Sequence, residues 1–261
     1  MGVLIDSVTC ARDRLLERYS HVISVNPDLD RSLVSFQANK REPLYRWFKY
    51  KEGFSSRLVE YFLAKVGRKP GVLLDPFAGT GAALFASRDL GWNAVGIELL
   101  PVGFYAMSAR DAAESLEPAV LEGEIKKLRE ISLLDYYDPE YAFSHLRITM
   151  GAFSPATERQ IAGWCAFCAN EVADPNVRTV FEFACFSILE EISYTRKDGQ
   201  YLRWDSRSPG RSLRGTFNKG KIPRFREALL RKVRAIADDL ADNGLFASDR
   251  NKRPAIDVRR G

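Results

Sequence analysis

Residues 71 to 98 constrain this chain more than any other stretch, because they spell a strand, a glycine-bearing turn, a helix and a second strand in succession. Gly71-Val72-Leu73-Leu74-Asp75 is a continuous apolar run closed by an acid, the pattern of a strand buried on both faces. Thr80 to Leu90 has helix periodicity and stops at Gly91, and Asn93 to Glu98 is a second apolar run, again closed by an acid. Two strands joined through a helix must run parallel, so this is a βαβ unit and the chain belongs to the α/β class.

The turn of that unit carries the chemistry. In Asp75-Pro76-Phe77-Ala78-Gly79-Thr80-Gly81 the two glycines remove side chains where strand becomes helix, so a ligand can lie against the backbone. Glu98, at the tip of the neighbouring strand, stands where an acid accepts hydrogen bonds from ribose hydroxyls. A nucleoside cofactor is the natural reading, set against a generic βα turn. The full G-x-G-x-x-G dinucleotide fingerprint is absent, because Asp75 and Phe77 occupy its first places, which argues against NAD or FAD.

Charge is concentrated in one block. The chain has 261 residues and a net charge of +5, while Arg196 to Arg234 alone holds thirteen Lys or Arg against Asp198, Asp205 and Glu227. Arg224 to Arg234 suits a solvated helix face. The preceding part reads as a loop that interleaves cations with Tyr201, Trp204 and Phe217, a composition suited to phosphate contact and stacking. Arg196, Lys197, Arg203, Arg207, Arg211, Arg214, Lys219 and Lys221 are therefore the candidate nucleic-acid contacts.

Elsewhere the pattern is helical: Phe54 to Val66 with a Ser55 or Ser56 cap, then Gly103 to Glu117, Ala119 to Leu134, Thr157 to Glu171, Val177 to Ser193 and Pro223 to Leu240. Met1 to Lys40 is weakly patterned, with a short helix over Ala11 to Tyr19, and Ala255 to Val258 reads as a last strand. Phe181, Phe183 and Phe186 read as core. Cys10, Cys165, Cys168 and Cys185 are too few and irregular for a disulfide framework, and Cys165-Ala166-Phe167-Cys168 lacks a second pair to complete a zinc site. With no secretory signal pattern and no apolar run long enough to span a bilayer, a cytoplasmic protein without metal or membrane partner is expected.

The Asp75 to Gly81 run resembles motif I of S-adenosylmethionine-dependent DNA amino-methyltransferases, which methylate cytosine N4 or adenine N6. Tyr50 to Tyr61 resembles motif X of the same family, and its place directly before motif I is the circularly permuted order. The resemblance, strongest over residues 45 to 110, implies a class I methyltransferase-like, Rossmann-like α/β core with S-adenosylmethionine as cofactor. It implies that Asp75 to Gly81 wrap the methionine part, Glu98 takes the ribose, Leu99 flanks the adenine, and Phe54, Ser55 and Ser56 approach from the other side. Thr195 to Trp204 also resembles a segment preceding the catalytic motif in cytosine-N4 members.

One departure shapes the functional expectation. The family's catalytic tetrapeptide, (D/N/S)-P-P-(Y/F/W), orients the target amino group and stacks the extruded base, and this chain contains no Pro-Pro. In this fold the motif I strand is central, flanked on its inner side by the strand leading into that tetrapeptide. With Gly261 soon after strand three, the sheet is expected to be incomplete and its inner edge to need a partner. The expected organisation is a cofactor-binding half over 1–118, comprising a motif X-like segment 45–66, motif I 71–81 and motif II 93–99. A largely helical insertion follows over 119–250, with its basic segment at 196–234, and a terminal strand over 251–261 completes the half-core. The expected function is the cofactor-binding subunit of a split DNA methyltransferase of restriction-modification type, active in a heterodimer whose second subunit supplies the tetrapeptide. A non-catalytic regulatory or nucleic-acid-binding module and half of an RNA methyltransferase are the alternatives.

Overall fold

The computed structural model describes residues 2–50, 53–67, 69–198, 201–209, 217–242 and 253–261, with the side chains of 2–9 and 118 left aside. Its centre is a parallel sheet of β1 (Val72–Asp75), β2 (Asn93–Glu98) and β5 (Ile256–Arg260), in the order β1-β2-β5. The register sets Asp75 beside Gly96 and Glu98 beside Arg260, so the acids closing β1 and β2 lie at the same end of the sheet.

Helix α3 (Ala82–Asp89) forms the crossover from β1 to β2, and α4 (Pro101–Glu114) follows β2 directly. Leu84 and Phe85 of α3 and Met107 of α4 pack with Ala78 and Ala94, against partly buried Ile256 and Val258 of β5. Helix α2 (Ser56–Val66) lies on α3 through Val59, Ala83 and Ala86. Its N-cap is Ser55, whose Oγ accepts from Leu58 N at 3.2 Å.

The opposite face of β1 corrects the reading of a strand buried on both sides. Val72 and Leu74 are 65% and 62% exposed, while Leu73 between them packs inward. Alternation sends every second residue to the other face, and no helix among the described residues covers that face. The outer edge of β1 likewise has no paired strand among the described residues.

The second body of the molecule is helical: α5 (Pro118–Glu130), α6 (Pro155–Asn170), α7 (Pro175–Ile192) and α8 (Phe225–Asp242). Trp164, Phe181, Phe183, Leu229 and Ile236 fill its core, with Phe186 partly buried, and α4 joins it by packing on α7. Helices α4 to α7 each carry Pro in the first turn, where its missing N–H is no loss. Helix α1 (Gly2–Tyr19) is longer than the segment expected from periodicity.

The stretch ahead of α2 is fastened to this body by one carboxylate. Asp239 on α8 is 1% exposed and accepts from Leu44 N at 3.0 Å, Trp47 Nε1 at 2.8 Å and the Arg46 guanidinium. Its removal strands two buried donors as well as breaking an ion pair. Asp239→Ala should therefore cost about 3 kcal/mol in urea denaturation. A loss under about 1 kcal/mol would mean that the 44–47 segment is held by packing alone.

Candidate functional site

The loop after β1 is shaped by its own backbone. Asp75 Oδ1 accepts from Phe77 N at 3.0 Å, closing a turn at the strand tip, and Ala78 N donates to Ile97 O at 3.0 Å, tying the loop to β2. Gly81 then enters α3 at φ +81°, where a Cβ would sit 2.8 Å from both Met107 and Phe85. Only glycine fits that conformation and that space. At Gly103 of α4 a Cβ would lie 2.3 Å from Gly79 O, so helix and loop meet backbone to backbone.

Between this loop and the segment ahead of α2 lies a cavity of about 390 Å3 at the tips of β1 and β2. Pro76, Phe77, Ala78, Gly79 and Thr80 form one wall, Glu98 and Leu99 another, and Phe54 closes the far side. The fold thus brings together most of the residues expected to hold a cofactor. Asp75, Gly81, Ser55 and Ser56 stand behind the wall instead: Asp75 caps the turn, and buried Ser55 caps α2 while its Oγ donates to Leu33 O at 2.6 Å. Ser56 donates its backbone N–H to Asn39 Oδ1 at 3.1 Å.

Sequence reasoning missed Phe36 and Asn39, which also line the cavity, and placed Tyr50 only in the motif X-like segment. Asn39 is 2% exposed and clamps the far wall, donating to Phe54 O at 2.9 Å and accepting from Ser56 N. It lies where no periodicity marks an element, so only the fold could reveal it. Glu98 is 7% exposed, and its Oε1 accepts from Leu100 N at 2.7 Å. Among the described residues its other oxygen has no hydrogen-bond partner, which leaves a fixed acceptor in the cavity wall.

The basic segment corrects a second expectation. It is no plain loop: β3 (Thr195–Asp198) and β4 (Tyr201–Trp204) form an antiparallel hairpin, with Thr195 opposite Trp204. Fully buried Asp205 follows and accepts from Arg207 Nε at 2.7 Å, Arg207 Nη2 at 2.8 Å and Lys219 N at 2.6 Å. The Arg207 side-chain hydrogen bonds come first among the causes that hold this carboxyl well below the usual range, despite its burial. Lys219 Nζ donates to Ser193 O at 2.7 Å and to Glu190 O, and burial pushes it down to about 8.

Arg196, Lys197, Lys219 and Lys221 line one cleft, whereas Arg203 and Arg207 do not. Arg203 pairs with Asp198 at 3.4 Å and lies over the Phe217 ring. Arg211 and Arg214 lie outside the described residues. Cys168 and Cys185 are buried and Cys165 half-buried, with burial pushing all three thiols up. Among the described residues no group of three His, Cys, Asp or Glu is placed to hold a metal, and no helix is long and apolar enough to cross a membrane.

A parallel three-strand sheet with a glycine-rich loop and an acid at adjacent strand tips defines a mixed α/β protein with a methyltransferase-like core. The relatives agree. Over 244 residues, 89% of this chain, it is 39% identical to the Type II methyltransferase M.AvaI of Nostoc sp., of which the match spans 48%. Over 245 residues, 88% of this chain, it is 35% identical to the Type II methyltransferase M.BsoBI of Geobacillus stearothermophilus, again across 48% of that protein. A shorter match, 34% over 95 residues, links 36% of this chain to 16% of the Type II methyltransferase M.MjaII of Methanocaldococcus jannaschii. The chain spans about half the length of the first two relatives. No family model matches it, and no solved structure does.

Proposed function

We propose that this chain is the cofactor-binding half of an S-adenosylmethionine-dependent DNA methyltransferase acting on an exocyclic amino group, cytosine N4 or adenine N6. A second polypeptide supplies the catalytic tetrapeptide, so the working enzyme is a heterodimer of restriction-modification type in the cytoplasm. The observation that carries the reading is the cavity at the tips of β1 and β2, with the glycine-bearing Pro76 to Thr80 loop on one side and Glu98 on the other. Similarity to Type II methyltransferases over most of the chain supports it.

The residues present fit the cofactor. Gly79 has no side chain of its own, and Gly103 lets α4 pack against its backbone, so the cofactor's methionine part has a stretch of backbone to lie on. Glu98, already oriented by Leu100 N, offers its other oxygen to ribose hydroxyls. Leu99, 68% exposed at the rim, and Phe54 opposite give apolar surface for an adenine ring. When bound, S-adenosylmethionine supplies an activated methyl group for transfer to the amino nitrogen. The chain's own part is to fix that group's position and shield it from water, which is where positioned reactions gain their rate.

Isothermal calorimetry tests the cofactor reading directly. Saturable binding of S-adenosylmethionine is expected, with no heat from NAD at the same concentration. The reading fails if NAD binds and S-adenosylmethionine does not.

A further inference from the structure

Beside the cofactor cavity lies a cleft of about 530 Å3, and Tyr50 lines both. Distant parts of the chain meet there: Arg46 and Lys49 ahead of α2, and Arg196 and Lys197 on β3. Lys219, Lys221 and Lys232 complete the basic lining, in which Glu190 and Glu191 are the only acids, although Arg46 is already paired with Asp239 behind it. Neither Arg46 nor Lys49 stands out in the sequence as part of a charged site, and Lys232 falls in the Arg224 to Arg234 stretch read there as a solvated helix face.

The hydrogen bonds divide the cations into two kinds. Lys219 and Lys232 are half-buried and donate to the backbone carbonyls of Ser193 and Trp47, at 2.7 and 2.9 Å. A carbonyl fixes an ammonium without cancelling its charge, so these two give the floor a standing positive field. At the rim, Lys49 and Lys221 reach carboxylates only at 3.8 and 4.0 Å and are 53% and 85% exposed. Such loose surface pairs yield readily to a phosphate. Arg196 lies over the Phe217 ring at 5.8 Å. Phe48 and Phe186, stacked with centroids 5.2 Å apart, line the cleft as a flat apolar surface. Fixed charge below, exposed cations above and an aromatic surface between them suit a nucleic-acid strand.

We propose that this cleft is the track for the phosphodiester backbone of the DNA strand presented to the cofactor cavity, with Lys49, Arg196 and Lys221 making the phosphate contacts. The inference rests on the function proposed above and moves the DNA contact away from the hairpin's outer cations. Arg207 is held by Asp205, and Arg203 faces outside the cleft. Because Tyr50 walls both spaces, a strand lying in the cleft runs alongside the cofactor cavity.

Fluorescence anisotropy with a labelled DNA duplex tests this, comparing wild type with the triple variant Lys49→Ala, Arg196→Ala, Lys221→Ala. The triple variant should bind ten- to a hundredfold more weakly at about 0.1 M salt, with the slope of log affinity against log salt reduced by about three. Arg203→Ala, in the basic segment but outside the cleft, should change affinity by no more than about twofold. S-adenosylmethionine binding, measured on the same samples, should be unchanged in both and shows that the variants are folded. The proposal is overturned if the triple variant binds DNA like wild type, if Arg203→Ala has the larger effect, or if RNA of the same sequence competes as well as DNA. Failure of wild type to bind S-adenosylmethionine would sink the functional reading, while the anisotropy data would still decide the cleft.

Discussion

Alone, the purified chain should transfer no labelled methyl group to DNA. Co-expressed with a polypeptide bearing (D/N/S)-P-P-(Y/F/W), it should transfer at a rate at least about a hundredfold above background, the scale set by losing the placement of a reacting group. The expectation has two independent supports. The sequence holds no Pro-Pro dipeptide, so the tetrapeptide that would orient the amine is not in this chain. The outer edge of β1 has no strand beside it among the described residues, and Val72 and Leu74 present apolar side chains on the uncovered face. Completing that sheet would bury more than about 2,000 Å2, so the two polypeptides should co-purify. A neighbouring reading frame encoding the tetrapeptide identifies the partner to use. Robust transfer by this chain alone would sink the two-polypeptide reading.

Glu98→Ala should weaken S-adenosylmethionine binding ten- to a hundredfold, the equivalent of about 1.5 to 3 kcal/mol for charge-assisted hydrogen bonds. Glu98 is buried with one oxygen held by Leu100 N, so its orientation is set before a ligand arrives. Glu98→Gln retains an acceptor without the charge and should fall between wild type and the alanine variant. Calorimetric affinities that do not differ among the three proteins would place the ribose elsewhere.

The sheet and the loop were legible because their signals are local. Val72 to Asp75 and Asn93 to Glu98 are short apolar runs closed by acids, and Gly79 and Gly81 mark the turn between them, so both strands and the cavity's near walls follow from neighbouring residues. Helix starts at Gly103, Ala119, Thr157 and Val177 were each expected one or two residues late, because apolar periodicity begins after the Pro of the first turn. The β3–β4 hairpin resembles loop in sequence: its four-residue strands are largely exposed, and charge masks the alternation. Asn39 and the Asp239 anchor were illegible for another reason. Each works by satisfying hydrogen-bonding groups outside its own element, Asn39 those of Phe54 and Ser56 and Asp239 reaching Leu44 across 195 positions, and nothing at either position signals the other.

Tyr50 stands between two spaces that different molecules would fill, and this fixes a thermodynamic relation between them. If a ligand in one space favours one placement of that ring, its binding alters affinity in the other space by some factor. Linkage then requires the second ligand to alter the first ligand's affinity by the same factor. Final occupancy never depends on the order of loading, so a side chain shared as a wall would show itself as equal changes in the two affinities, with the order of loading set by rates.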